Sequence, residues 1–164
     1  MSRKIVIGWR EWVSVPALDL PAIKAKIDTG ARTSALHAFY VEESRAGGRH
    51  RVLFGLHPLQ RRDDLVVNCE ADVLDQRDVM DSGGHVEKRF VIRQRVRLGD
   101  HEWPIEITLT NRDPMGFRML IGRGALIDRF AVDPAQSYVM GRRSAAKLAT
   151  AYRRPRARKK RASS

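Results

Sequence analysis

Ile23-Lys24-Ala25-Lys26-Ile27 alternates apolar and polar side chains and runs straight into Asp28-Thr29-Gly30. The alternation is the period of a strand buried on one face. The strand must turn sharply where it ends, and Gly30 allows the tight turn. An aspartate at such a point is ordinarily part of an Asx turn and nothing more. It is also what aspartic proteolysis requires, a carboxylate at the end of an apolar strand. The chemistry needs two of them sharing a proton, because like charges about 3 Å apart cannot both ionise. One carboxylate takes a proton from water while the other gives one to the scissile carbonyl. Thr29 can brace the loop through local hydrogen bonds, and Ile27 anchors the strand in a core.

The rest of the chain reads as short strands broken by glycine turns. Residues 5–8, 34–41, 65–67, 71–74, 86–98, 105–109 and 119–123 have extended patterns. Residues 45–51 are Gly-rich and basic, a loop. Asp81-Ser82-Gly83-Gly84 is a turn between two extended stretches, hence a hairpin tip. Residues 124–129 have room for one or two helical turns. Residues 145–152 can form a helix that stops before Pro155. Many short strands and little helix predict an all-β closed barrel, and 164 residues suit one domain.

The net charge of +12 is unevenly placed. Beyond Asp133 there is no acidic residue, and residues 142–164 hold ten Lys/Arg, which leaves 21 basic against 19 acidic residues in 1–141. The expected organisation is a nearly neutral domain over 1–141 and a basic, disordered tail over 142–164. Such a tail resembles a nucleic-acid or ribosome-binding extension, although a solvated appendage has the same composition. It holds no aromatic residue beyond Tyr152 for base stacking. Cys69 is the only cysteine, so no intrachain disulfide forms, and a reducing, cytoplasmic setting is the natural expectation. No apolar run has the length of a signal peptide core or of a membrane span. His37, His50, His57, His85 and His101 lack metal-ligand spacing, and there is neither a His-Glu-x-x-His pair nor a phosphate-binding Gly-Lys-Ser/Thr loop. No metal and no cofactor is expected.

Residues 24–38, Lys24-Ala25-Lys26-Ile27-Asp28-Thr29-Gly30-Ala31-Arg32-Thr33-Ser34-Ala35-Leu36-His37-Ala38, closely resemble the signature of a bacterial and archaeal family. That family is known both as ATP-dependent zinc proteases and as retropepsin-like aspartic endopeptidases. Ile7-Gly8-Trp9-Arg10-Glu11-Trp12 resembles its N-terminal strand and the turn after it. Residues 105–112, Met115 and Met119-Leu120-Ile121-Gly122-Arg123 resemble its C-terminal block. The resemblance spans residues 5 to about 133. It implies a retropepsin-like closed barrel, in which Leu120-Ile121-Gly122-Arg123 threads beside the catalytic loop and a short helix over Ala125-Leu126-Ile127 follows.

The resemblance also implies site residues. Asp28, Thr29 and Gly30 form the catalytic triplet. Ser82, Gly83 and Gly84 sit at the tip of a flap that opens to admit substrate. Asp81-Ser82-Gly83 does not serve as a second catalytic triplet, because it follows Asp28 by only 53 residues and polar residues come after it. Each chain then supplies one aspartate, and a homodimer is required for activity. Family members are associated with ligases that add glutamate to proteins. Arg32, Arg112 and Arg123 would suit an acidic peptide such as an oligoglutamate tail through bidentate carboxylate pairing. Two other readings stand beside this one: a metal-dependent protease, as one family name says, and a noncatalytic dimeric module with an RNA-binding tail.

Overall fold

The alternation seen in residues 23–27 carries through the folded chain. Ile23, Ala25 and Ile27 are buried while Lys24 and Lys26 face outward. The computed structural model describes residues 3–60, 62–80, 83–112 and 116–153. Twelve strands and two α-helices are set out along them: β1 (Ile5–Gly8), β2 (Arg10–Val15), β3 (Leu20–Asp28), β4 (Ser34–His37), β5 (Tyr40–Ser44), β6 (Arg51–Leu56), β7 (Val67–Asp72), β8 (Asp75–Met80), β9 (Val86–Leu98), β10 (His101–Thr110), β11 (Met119–Gly122), α1 (Arg123–Leu126), β12 (Phe130–Asp133) and α2 (Ala145–Arg153).

Six strands close into a barrel in the order β10-β4-β11-β3-β2-β9, and the β9–β10 hairpin completes the ring. Closure leaves those six strands without a free edge. The all-β closed barrel read from the sequence is the observed architecture. β8 extends the barrel sheet through its pairing with β9. β5, β6 and β7 form a three-stranded sheet, and β1 pairs with β12 in parallel. One apolar core joins barrel and outer sheet, from Ile7, Leu20 and Ile107 to Phe54, Val67 and Cys69. No helix among the described residues is long and apolar enough to cross a membrane.

Several elements differ from the sequence reading. Residues 34–41 are two strands. Backbone bonds from Ala38 to Thr110 and from Phe39 to Gly55 hand the chain from the barrel to the outer sheet. β6 lies just beyond the basic loop and was not predicted. β7 replaces the two short strands expected around it, because the clean alternation runs through Val67, Cys69 and Ala71. Gly55 is required by packing: a Cβ there would lie 2.2 Å from the Tyr40 ring. Glu11 is fully buried, and its carboxylate accepts hydrogen bonds from the amides of Gly8, Val139 and Met140 at 2.7, 2.9 and 3.0 Å. It ties the start of the fold to its C-terminal segment.

Disorder from residue 142 onward does not hold for all of that segment. Ser144 caps α2 by accepting from the Lys147 amide at 3.2 Å. Leu148 and Tyr152, one turn apart, are buried, and the Tyr152 hydroxyl donates to the Ala22 carbonyl at 2.5 Å. A nine-residue helix is marginal alone in water. Burial of these two side chains, worth roughly 1.5–3 kcal/mol each, holds it on β3. Residues 154–164 lie outside the described residues.

Candidate active site

β11 is inserted between β3 and β4, parallel to β3 and antiparallel to β4. The chain leaving β3 at Asp28 must therefore cross the end of β11 before it enters β4 at Ser34. Gly122 stands opposite Asp28 in this register. It is glycine for want of space: a Cβ would lie 2.6 and 2.7 Å from the Thr33 carbonyl and 2.9 Å from the Ala31 oxygen. The Gly122 amide donates to the buried Ser34 hydroxyl at 3.0 Å, and Thr108 donates to the Ser34 carbonyl at 3.1 Å.

Asp28 is half-buried, while Thr29 and Gly30 are exposed. The Asp28 Oδ1 accepts from the Gly30 amide at 2.9 Å and the Ala31 amide at 3.2 Å. This is the geometry of an Asx turn, with the carboxylate fixed at the mouth of the barrel. Beyond β11, the Arg123 amide donates to the Ala31 carbonyl at 2.6 Å and the Gly124 amide to the Arg32 carbonyl at 3.0 Å. The Arg123 guanidinium donates to the Thr29 carbonyl at 3.2 Å. Arg123, expected among substrate contacts, braces the loop.

The other expected residues are dispersed. Arg112 follows Thr110, which pairs with His37 at the far end of β4 from Ser34. Three strand residues at about 3.3 Å each put that end roughly 10 Å from the Ser34 end. The structure does not bring Arg112 to the loop. His37 is a hydrogen-bonded histidine: Nε2 lies 3.0 Å from the Asn111 carbonyl and Nδ1 lies 3.3 Å from the Arg118 guanidinium. Gly83 and Gly84 are exposed at the β8–β9 tip, where Gly84 has φ +82°. Ser82 lies outside the described residues.

Arg32 opens on a cleft of about 1090 Å³. Asp28 is not part of its wall, but Arg32, Thr33 and Ser34 are. Arg77 to Met80 of β8 line it too, as do Arg93 and Arg129 and the carboxylates of Glu106 and Asp128. Arg77 pairs with Glu106 at 3.1 Å and Asp75 at 2.9 Å. The hydrogen bond it donates to Glu106, then that to Asp75, raises its pKa above the usual arginine value. Among the described residues, Arg32, Arg93 and Arg129 form no ion pair. The sequence reading missed Arg93, Arg129 and Ser34. Arg93 and Arg129 carry no local signal, whereas Ser34 lies within the stretch that resembles the family signature.

Comparison with known proteins agrees with this geometry. A model of the retropepsin-like aspartic endopeptidase RimB matches residues 6–143. The chain belongs to the RimB-like family. Its curated relatives include proteins named probable alpha-L-glutamate ligase. One from Shewanella halifaxensis is 44% identical over 149 residues, which is 91% of this chain and 32% of the relative. One from Parasynechococcus marenigrum is 49% identical over 141 residues, 86% and 30% of the two chains. The chain thus spans about a third of the length of the curated relatives it matches. The RimB-like barrel also superposes on a crystal structure of a Legionella pneumophila protein of unknown function. The TM-score is 0.69 at 27% identity, over 84% of this chain and 99% of the other. Among the described residues of this RimB-like chain, no three His, Cys, Asp or Glu side chains converge as metal donors.

Proposed function

We propose that this chain is an aspartic endopeptidase whose catalytic pair is Asp28 from each of two copies. The observation that carries the reading is the presentation of Asp28. Two amides fix its carboxylate in a braced loop, beside exposed Thr29 and Gly30 at the mouth of a barrel. A single carboxylate there is half of a proton-sharing pair, and a second copy across a two-fold axis supplies the other half. The ionised carboxylate takes a proton from water, whose oxygen adds to the scissile carbonyl. The protonated partner gives its proton to the carbonyl oxygen. Collapse of the tetrahedral adduct, with proton transfer to nitrogen, releases acid and amine.

Among the described residues, Arg32, Arg93 and Arg129 line the cleft without an ion pair, beside Asp78, Asp128 and a Glu106 already paired with Arg77; these free guanidiniums support an acidic peptide. Relatives named as glutamate ligases carry a region similar to this chain, so a glutamate-bearing peptide or isopeptide is the substrate class that joins both observations. Asp28→Asn tests the mechanism, because an amide cannot act as the base. In an assay on a glutamate-tailed peptide the variant loses at least ~10³-fold in kcat/KM, while sedimentation still reports a dimer and EDTA leaves the parent chain unchanged. Full activity in Asp28→Asn would end the aspartic reading. Loss with EDTA and recovery with zinc would favour a metal-dependent hydrolase.

A further inference from the structure

We propose that the outer face formed by β2, β3 and α2 binds single-stranded RNA. Counted along the sequence, residues 1–141 are nearly neutral, but the fold does not spread their charge evenly. Arg10 lies opposite Lys26 and Trp12 opposite Lys24 in the β2–β3 register, all on the outward side of the barrel. Ser14 lies opposite Arg97 in β9. The C-terminal segment then crosses this face, with the Tyr138 amide bonded to the Arg10 carbonyl at 2.9 Å. It adds Arg142, Arg143 and Lys147.

Two adjoining grooves of about 210 and 520 Å³ share Pro21, Ala22 and Arg143 as walls. Arg97 and Trp12 line the first and Lys147 the second. Asp100 is the one carboxylate lining either groove among the described residues. Neither groove shares a residue with the cleft beside Asp28.

Several cations elsewhere on the molecule are held by acids. Arg49, Arg51, Arg77 and Arg95 each pair with an acidic side chain. Among the described residues, Arg10, Lys24, Arg97, Arg142, Arg143 and Lys147 form no ion pair. The face also carries rings. Trp12 and Tyr138 stack with centroids 6.2 Å apart and planes at 23°. The Arg10 guanidinium lies 4.7 Å from the Trp9 ring centre and 4.9 Å from that of Tyr138. Lys24 lies 5.5 Å from Trp12, and Arg142 lies 5.4 Å from Tyr138.

Unpaired cations alone fit any polyanion. Cations interleaved with aromatic rings and guanidinium planes fit a strand whose phosphates alternate with bases, because bases stack on both surfaces. An acidic peptide has no use for the rings. Of the ten Lys/Arg of residues 142–164, Arg142, Arg143 and Lys147 belong to this face, and their charge attracts a polyanion at long range.

The test uses the full chain, with fluorescence anisotropy of labelled single-stranded oligouridylate and of labelled poly-L-glutamate across a salt series. The triple variant Lys24→Glu/Arg97→Glu/Lys147→Glu, all surface positions, weakens oligouridylate binding at least ~10-fold. It also makes the logarithmic salt slope shallower by about 2, at roughly 0.7 per lost phosphate contact. Trp12→Leu weakens oligouridylate at least ~5-fold, the loss of one base stack, and leaves poly-L-glutamate unchanged. Unaltered oligouridylate affinity in the triple variant would place binding on residues 154–164 and overturn the proposal. A loss of poly-L-glutamate affinity in the triple variant as large as that of oligouridylate, with no effect of Trp12→Leu on either, would overturn it in favour of an acidic protein partner.

Discussion

The loop that carries Asp28 and the hairpin of β8 and β9 border the same cleft and are held in opposite ways. The loop is fixed from several sides: by its own Oδ1 bonds, by β11 threaded beneath it, by Ser34 and by Arg123. The hairpin has far less. β9 pairs with β10 only from Val91 onward, so its first five residues and most of β8 hold chiefly to each other. Met80 and Val86 face each other near the tip and are 68% and 59% exposed. A two-stranded ribbon of this kind is marginally stable by itself. The residues that would do chemistry are over-determined, and the element that would admit substrate is left loose, as local stability requires of a lid.

One substitution made in both regions tests this contrast most severely. Gly122→Ala forces a Cβ against backbone atoms of Thr33 and Ala31 closer than 3.0 Å. It costs about 3 kcal/mol and lowers Tm by roughly 6–12 °C. Gly84→Ala meets nothing within 4 Å and is disfavoured only by its φ of +82°, so it costs about 1 kcal/mol. Equal losses in thermal unfolding would erase the distinction between the regions.

Ser34→Ala sharpens it. The variant leaves the buried Gly122 amide without its acceptor, a loss of about 1–3 kcal/mol. Under the proposed function hydrolysis falls with stability, because the same bond sets the loop that carries Asp28. A variant as stable as the parent in urea unfolding would mean that β11 does not hold the loop.

The smallest effect belongs to the hairpin. Arg77→Gln removes the pairs with Glu106 and Asp75, whose side chains are all more than a third exposed. Solvent screens such pairs, so the change in unfolding free energy stays within about 0.5 kcal/mol. A loss above ~1.5 kcal/mol in urea unfolding would show that the hairpin is anchored as firmly as the loop.

Much of the loop was legible locally. Residues 23–27 state their strand by alternation, and Gly30 states the turn. The resemblance placed Leu120-Ile121-Gly122-Arg123 beside it. Local pattern failed where a residue's environment came from a distant strand. Thr108 reads as an outward polar residue between Ile107 and Leu109, yet it is buried, bonded to Ser34 and approached by Arg89 at 3.4 Å. Nothing local marks Glu11 for burial, yet amides from residues 139 and 140 bond its carboxylate. Tyr152, the one aromatic residue of segment 142–164, is buried against Ala22. The rings on the basic face are Trp12 and Tyr138.

The sequence by itself determined the class of fold, the strand that ends in Asp28 and the turn that follows it. These depend on side-chain period and backbone freedom, which are properties of neighbours along the chain. Tertiary structure alone decided that Arg123 braces the loop while Arg112 stands apart from it. It also gathered Arg32, Arg93 and Arg129 along one cleft and joined the cations of a near-neutral body into one basic face with the C-terminal segment. Those outcomes follow from strand order and register, and a charge carries no information about which strand will lie beside it.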